Sequence, residues 1–99
     1  MVITMERLTI DRILTTGSKS LTLNYTLKGE PDPQTNIMMY SISVMETDED
    51  GNTTILEAPQ LTHIKEAAVN ALKQFADGLV TGDDFWYVID DFFANTDNI

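Results

Sequence analysis

Near Pro59 the spacing of apolar residues changes. Before it, Leu21, Leu23, Tyr25 and Leu27, then Met38, Tyr40, Ile42 and Val44, occupy every second position. After it, Ile64, Ala68, Ala71, Leu72 and Phe75, then Phe85, Val88, Ile89 and Phe92, recur every third or fourth. Strict alternation buries one face of a strand, whereas the longer spacing draws an apolar stripe along a helix. A chain with both, in that order, is expected to build a sheet first and then two helices that cover it.

The strands can be placed from their punctuation. A first strand is expected over Glu6 to Thr15, with Leu8, Ile10 and Leu14 on one face and Arg12 interrupting it. Gly17-Ser18 signals a turn into a second strand, Ser20 to Lys28, so the two should form a hairpin. Residues 29–36, GEPDPQTN, read as a loop, because Pro31 and Pro33 lack backbone donors. A third strand follows over Ile37 to Thr47. Its second face carries Ile37, Met39 and Met45 beside Ser41 and Ser43, and is expected to be partly covered. DEDGN is a second hairpin turn, and Thr53 to Ala58 a short fourth strand that Pro59 ends.

Thr62 is expected to cap a first helix over His63 to Ala76, with Gly78 as the left-handed residue beyond its end and Leu79 as an apolar clasp. Thr81 is expected to cap a second helix running to about Ala94, helped by Asp84 three positions on. Asp83 and Asp84 suit the positive end of that helix. The expected fold is thus α+β: a four-stranded antiparallel meander followed by two C-terminal helices packed on one sheet face, ββββαα. Residues 1–99 form one domain, with 1–5 and 95–99 expected to fray.

The stretch from Tyr40 to Phe93 carries a recognisable series: the strand YSISV, the acidic turn DEDGN, the strand TILEA, a helix ending in QFADG, and a helix of the form FWYVIDDFF. In order and spacing it resembles an uncharacterised family of short Gram-positive bacterial proteins, known as a domain of unknown function. It departs from that pattern at Pro59-Gln60-Leu61. The resemblance implies the same small α+β fold and implies no activity.

Charge narrows the possible partners. Sixteen Asp and Glu face six Lys and Arg, a formal net charge of −10. Direct binding to nucleic acid requires cations that displace counterions from phosphate, and this chain has few. No segment approaches the roughly 20 apolar residues of a membrane-crossing helix, and the N-terminus has no basic leader. With no cysteine there is neither disulfide nor thiolate chemistry. A cytoplasmic, non-enzymatic protein is expected, with no cofactor, no membrane and a protein partner, or itself, to bind.

Four local features could carry chemistry. Glu46 to Glu57 has the spacing of a calcium loop, with Asp48, Asp50, Asn52, Thr54 and Glu57 as further ligands around Gly51. An alternating strand enters it and a proline closes it, where such a loop needs two helices, so a solvated hairpin turn is expected. His63 has no neighbouring residues that select it for catalysis or metal binding. Asp83-Asp84 and Asp90-Asp91 read as solvated acids rather than an acid/base pair. The last feature is the second helix. Phe85, Ile89 and Phe92 make its buried stripe, Trp86 and Phe93 fall on the flank, and Tyr87 lies on the polar side. Trp86, Tyr87, Asp90, Asp91 and Phe93 are the candidate partner surface. Two uses are open: docking another protein, or presenting carboxylates as a nucleic-acid mimic to a basic groove. A small-molecule or catalytic pocket between sheet and helices is the weakest reading, because the inner positions are nearly all apolar.

Overall fold

The alternating segments become four strands and the amphipathic segments two helices in the computed structural model, which describes residues 6–93. The elements are β1 (Glu6–Thr16), β2 (Lys19–Pro31), β3 (Met38–Thr47), β4 (Thr53–Thr62), α1 (Lys65–Asp77) and α2 (Gly82–Phe93). The strands pair antiparallel in the order β1-β2-β3-β4, the meander that the turn signals demand. Both helices lie on one face. There Leu23, Tyr25, Leu27, Tyr40, Ile42 and Val44 meet Ala71, Leu72, Phe75, Phe85, Ile89 and Phe93 in a single core. Burying side chains of this size is the main source of stability in the fold. On the other face, among the described residues, Thr9, Thr22, Thr26, Ser43 and Thr53 alternate outward and no element covers them.

The sheet is longer than the prolines suggest. β2 continues through Gly29 and Glu30 to Pro31, which forms the last rung opposite Met38. The loop is therefore 32–37 rather than 29–36. A proline is tolerated there because a terminal rung has no ladder to continue. Nor does Pro59 end the sheet. β4 runs on to Thr62, with an irregularity that sets Pro59, Gln60 and Leu61 between the pairs Ala58–Ile42 and Thr62–Tyr40. Gln60 takes a positive φ of 49° there. Such a bulge on an edge strand is where a proline fits, since the pairing is already broken.

The helix ends also differ from expectation. Thr62 accepts the Ile64 N–H on its hydroxyl at 3.0 Å, so it shapes the approach, and α1 starts at Lys65 with no side-chain cap. His63 lies before the helix and is exposed. At the far end the left-handed residue is Leu79, with φ 50°, while Gly78 has φ −87°. The Leu79 N–H donates to the Ala76 carbonyl and the Val80 N–H to the Phe75 carbonyl, which is the paired closure of a Schellman motif shifted by one residue. The half-buried Leu79 packs against the core from that position, and its contact offsets the steric cost of positive φ.

One tyrosine ties the two layers together and another ties strand to strand. The Tyr25 O–H donates to the Val80 carbonyl at 2.7 Å, fastening the link between helices to the centre of the sheet. The Tyr40 O–H donates to Glu6 Oε2 at 2.7 Å. Burial, then the negative Glu46, pushes the Tyr25 phenol up to about 12; the hydrogen bond to Glu6, then burial, pushes Tyr40 up to about 12. The folded chain thus holds both protons more tightly than an unfolded chain, whose tyrosines ionise near 10.0. That stabilisation is fully present below pH 10 and is lost as the pH rises through about 12. The thermal midpoint should fall across this window, and fall less steeply in Tyr25→Phe. Equal slopes in the two proteins would contradict the assignment.

Candidate functional site

The second helix is held from three sides before any of it reaches solvent. At its start, the Gly82 N–H donates to Glu46 Oε1 from β3, so a carboxylate from the sheet serves as the cap. The Asp84 N–H donates to the Thr81 carbonyl at 3.1 Å, a backbone turn that needs no side chain. Gly82 leaves room for the Glu46 contact. A Cβ there would fall on the Glu46 carboxylate and lie 3.2 Å from Leu56 Cδ1. Along its inner face Phe85, Ile89 and Phe93 are buried, and Phe85 meets Phe75 of α1 edge-on with ring centroids 6.0 Å apart.

This placement corrects one part of the expected surface. Phe93 is only 8 % exposed and belongs to the core, while Phe92 is half-buried on the flank. The four-residue step from Ile89 carries the stripe to Phe93, and the three-residue step to Phe92 turns away from it. Nothing in the spacing separates the two, because a helix turn lies between three and four residues.

The outer face keeps the rest. Trp86 is 48 % exposed and Tyr87 76 % exposed, with Asp83, Asp84, Asp90 and Asp91 around them, all exposed. The indole is not loose. It sits against buried Phe85 with ring centroids 5.1 Å apart at 76°, so the core holds it in one orientation. Within α2 there is no Lys or Arg to neutralise the four aspartates. The result is a Trp86 ring seated against the core, with Tyr87 exposed beside it, among four negative charges.

The charge asymmetry extends across the molecule, which the linear sequence conceals. All six Lys and Arg stand on β1, β2 and α1: Arg7, Arg12, Lys19, Lys28, Lys65 and Lys73. β3, its following turn, β4 and α2 carry Glu46, Asp48, Glu49, Asp50, Glu57 and the four aspartates of α2, with no Lys or Arg. α2 packs over β4 and β3 while α1 lies across all four strands, so the acids of β3, β4 and α2 collect toward the β4 edge of the sheet, with Lys19 of β2 beside the Asp48–Asp50 turn.

The other candidate features have structural occupations. Glu46 to Glu57 runs strand–turn–strand. Asp48 Oδ1 accepts the N–H groups of Asp50 and Asn52, both at 2.9 Å, and Oδ2 accepts from Asn52 Nδ2 at 3.1 Å. These bonds, the Asn52 N–H foremost, hold its carboxyl below the usual range. Gly51 supplies the positive φ of 86° that closes the turn. Glu49 Oε1 accepts from the Ser20 N–H at 2.5 Å, and Glu46 is committed to α2. Among the described residues no group of three or more His, Asp or Glu is placed to hold a metal ion.

Comparison with known proteins adds one finding. A family of unknown function, DUF6514, matches residues 5–95, nearly the whole chain and well beyond the Tyr40–Phe93 stretch. No curated protein and no solved structure matches the chain.

Proposed function

We propose that this chain, which belongs to DUF6514, a family of unknown function, is a non-enzymatic protein-interaction or regulatory module of the bacterial cytoplasm. It docks a basic protein surface through the outer face of α2. The observation that carries this reading is Trp86, exposed yet seated on the core, beside the exposed Tyr87 and four aspartates with no Lys or Arg in the helix. Aromatic residues with a rigid seat give contact area at low entropic cost and are favoured at the centres of interfaces. The aspartates steer a cationic partner and raise its rate of encounter.

A second reading has its own support. Segregation of acids onto β3, β4 and α2 gives one end of the molecule the charge character of a nucleic acid, so it could occupy the basic groove of a nucleic-acid-binding protein.

Partner capture with wild type and Trp86→Ala, over a series of salt concentrations, separates the two. Docking through α2 predicts that Trp86→Ala loses the partner while retaining its fold, and that the wild-type complex survives raised salt. Mimicry predicts the reverse: a complex that dissolves as salt screens the carboxylates and tolerates Trp86→Ala. A partner retained by Trp86→Ala at high salt would defeat both.

A further inference from the structure

The sheet has two open edges, and they are built differently. β4 is interrupted by its bulge, Pro59 and the left-handed Gln60, and it lies at the acidic end. Those are devices that keep an edge from pairing. β1 is protected instead by its charges, Glu6, Arg7, Asp11 and Arg12, which discourage pairing except with a strand whose charges match. It runs 11 residues without proline or bulge, and among the described residues no element covers its outer side. Leu8 and Ile13 are 40 % and 68 % exposed along it. The Asp11 carbonyl accepts from Arg12 Nη1 at 2.9 Å, which marks Asp11 as one of the residues whose backbone groups face the open edge. By the alternation of an antiparallel ladder, Arg7 and Thr9 face it too.

We propose that two copies of this chain pair antiparallel through β1, with Thr9 opposite Thr9, joining their sheets into one of twice the width. The charges select this register. With Thr9 at the centre, Arg7 lies opposite the partner's Asp11, Glu6 opposite the partner's Arg12, and Leu8 opposite the partner's Ile10. Each pair occurs twice. Centring on Asp11 or Arg12 would set like charges face to face, and centring on Ile10 would leave all four charges without opposites.

Four further observations fit. Arg7 stands across from Lys28 in the β1–β2 ladder, a like-charge pair that a carboxylate on the free side would relieve. A hollow of about 380 Å³ beside β1, lined by Glu6, Leu8, Leu27, Lys65 and Val69, lies where the partner's Ile10 and Arg12 would arrive. Arg12 would exchange its present exposed contact with Asp77, 3.8 Å long, for a place beside the partner's Glu6, whose oxygens already accept from Lys65 Nζ at 2.6 Å and from the Tyr40 O–H, so the Arg7–Asp11 pairs carry the register. β1 is also the edge opposite β4, so pairing there leaves β4 and α2 of the two copies, which carry no Lys or Arg, at opposite extremes of the joined sheet. α2 is remote from this edge, so the proposal is independent of the docking role given to Trp86.

Sedimentation or light scattering of the purified chain at high micromolar concentration tests it. Wild type should be a dimer. Thr9→Pro removes one edge-facing N–H without touching the β2 ladder and should be a folded monomer. Arg7→Asp places like charges opposite the partner's Asp11 and should weaken the dimer about tenfold or more. In the fold itself the same change creates an opposite-charge pair with Lys28, so loss of dimer cannot be ascribed to unfolding. Combining Arg7→Asp with Asp11→Arg exchanges the pair and should restore the dimer. A monomeric wild type overturns the proposal, as does an Arg7→Asp protein that dimerises as tightly as wild type.

Discussion

Phe85→Ala is expected to lower the unfolding free energy by about 3–5 kcal/mol, a large share of the ~5–15 kcal/mol that holds a typical domain together. Phe85 is fully buried, and its ring meets both Phe75 of α1 and Trp86. Its removal opens a cavity where the helices join, and with short side chains such as Ala68, Ala71 and Ala76 nearby little can move in to fill it. The adjacent Trp86→Ala should cost only about 1 kcal/mol, because half of that side chain is already wet. Denaturant unfolding of the two variants makes the comparison. If Trp86→Ala proved the more damaging change, Trp86 would be a core residue and the docking surface would lose its centre.

Gly29→Ala is expected to destabilise by about 1–3 kcal/mol, against the usual direction. An alanine within a strand is normally better than glycine by roughly 0.5–1 kcal/mol. Here the added methyl would lie 2.5 Å from Tyr40 Cε1 and 2.8 Å from Cδ1. That ring is buried and cannot simply yield. To make room it must swing away, and its hydrogen bond to Glu6 is then lost. In a Tyr40→Ala background the obstacle is gone, and Gly29→Ala should become close to neutral. Destabilisation of the same size in both backgrounds would show that the Tyr40 ring is not the cause.

What can be read without coordinates follows from how far along the chain each cause acts. Alternation over Leu21 to Leu27 and Met38 to Val44 reports burial of one strand face, and it placed β2 and β3 on the correct side. The Gly17-Ser18 and DEDGN turns are local, so the meander order was legible as well. Pro31 and Pro59 misled because a proline's effect depends on whether its missing N–H was needed. Only the position of a neighbouring strand decides that. The left-handed residue after α1 was assigned to Gly78 by propensity, yet packing gave it to Leu79. Phe92 and Phe93 are equally good candidates for the inner stripe, and the sheet beneath α2 chose Phe93.

For the candidate surface the division is similar. Tyr87, Asp90 and Asp91 could be set on the outer side of α2 by helical periodicity, which leaves Trp86 on the flank with Phe93. The capping role of Glu46 could not, because it joins residues 36 positions apart.

The class of fold, the order of its elements and the large excess of negative charge are all legible from residue type and short-range spacing. Where that charge gathers is not. Folding sets β3, β4 and α2, which carry no Lys or Arg, side by side, while Arg7, Arg12 and Lys28 stand on the neighbouring strands and Lys19 comes to lie beside the Asp48–Asp50 turn. The electric asymmetry of the molecule is a property of strand order and helix placement, because charges far apart along a chain form one field only when packing makes them neighbours.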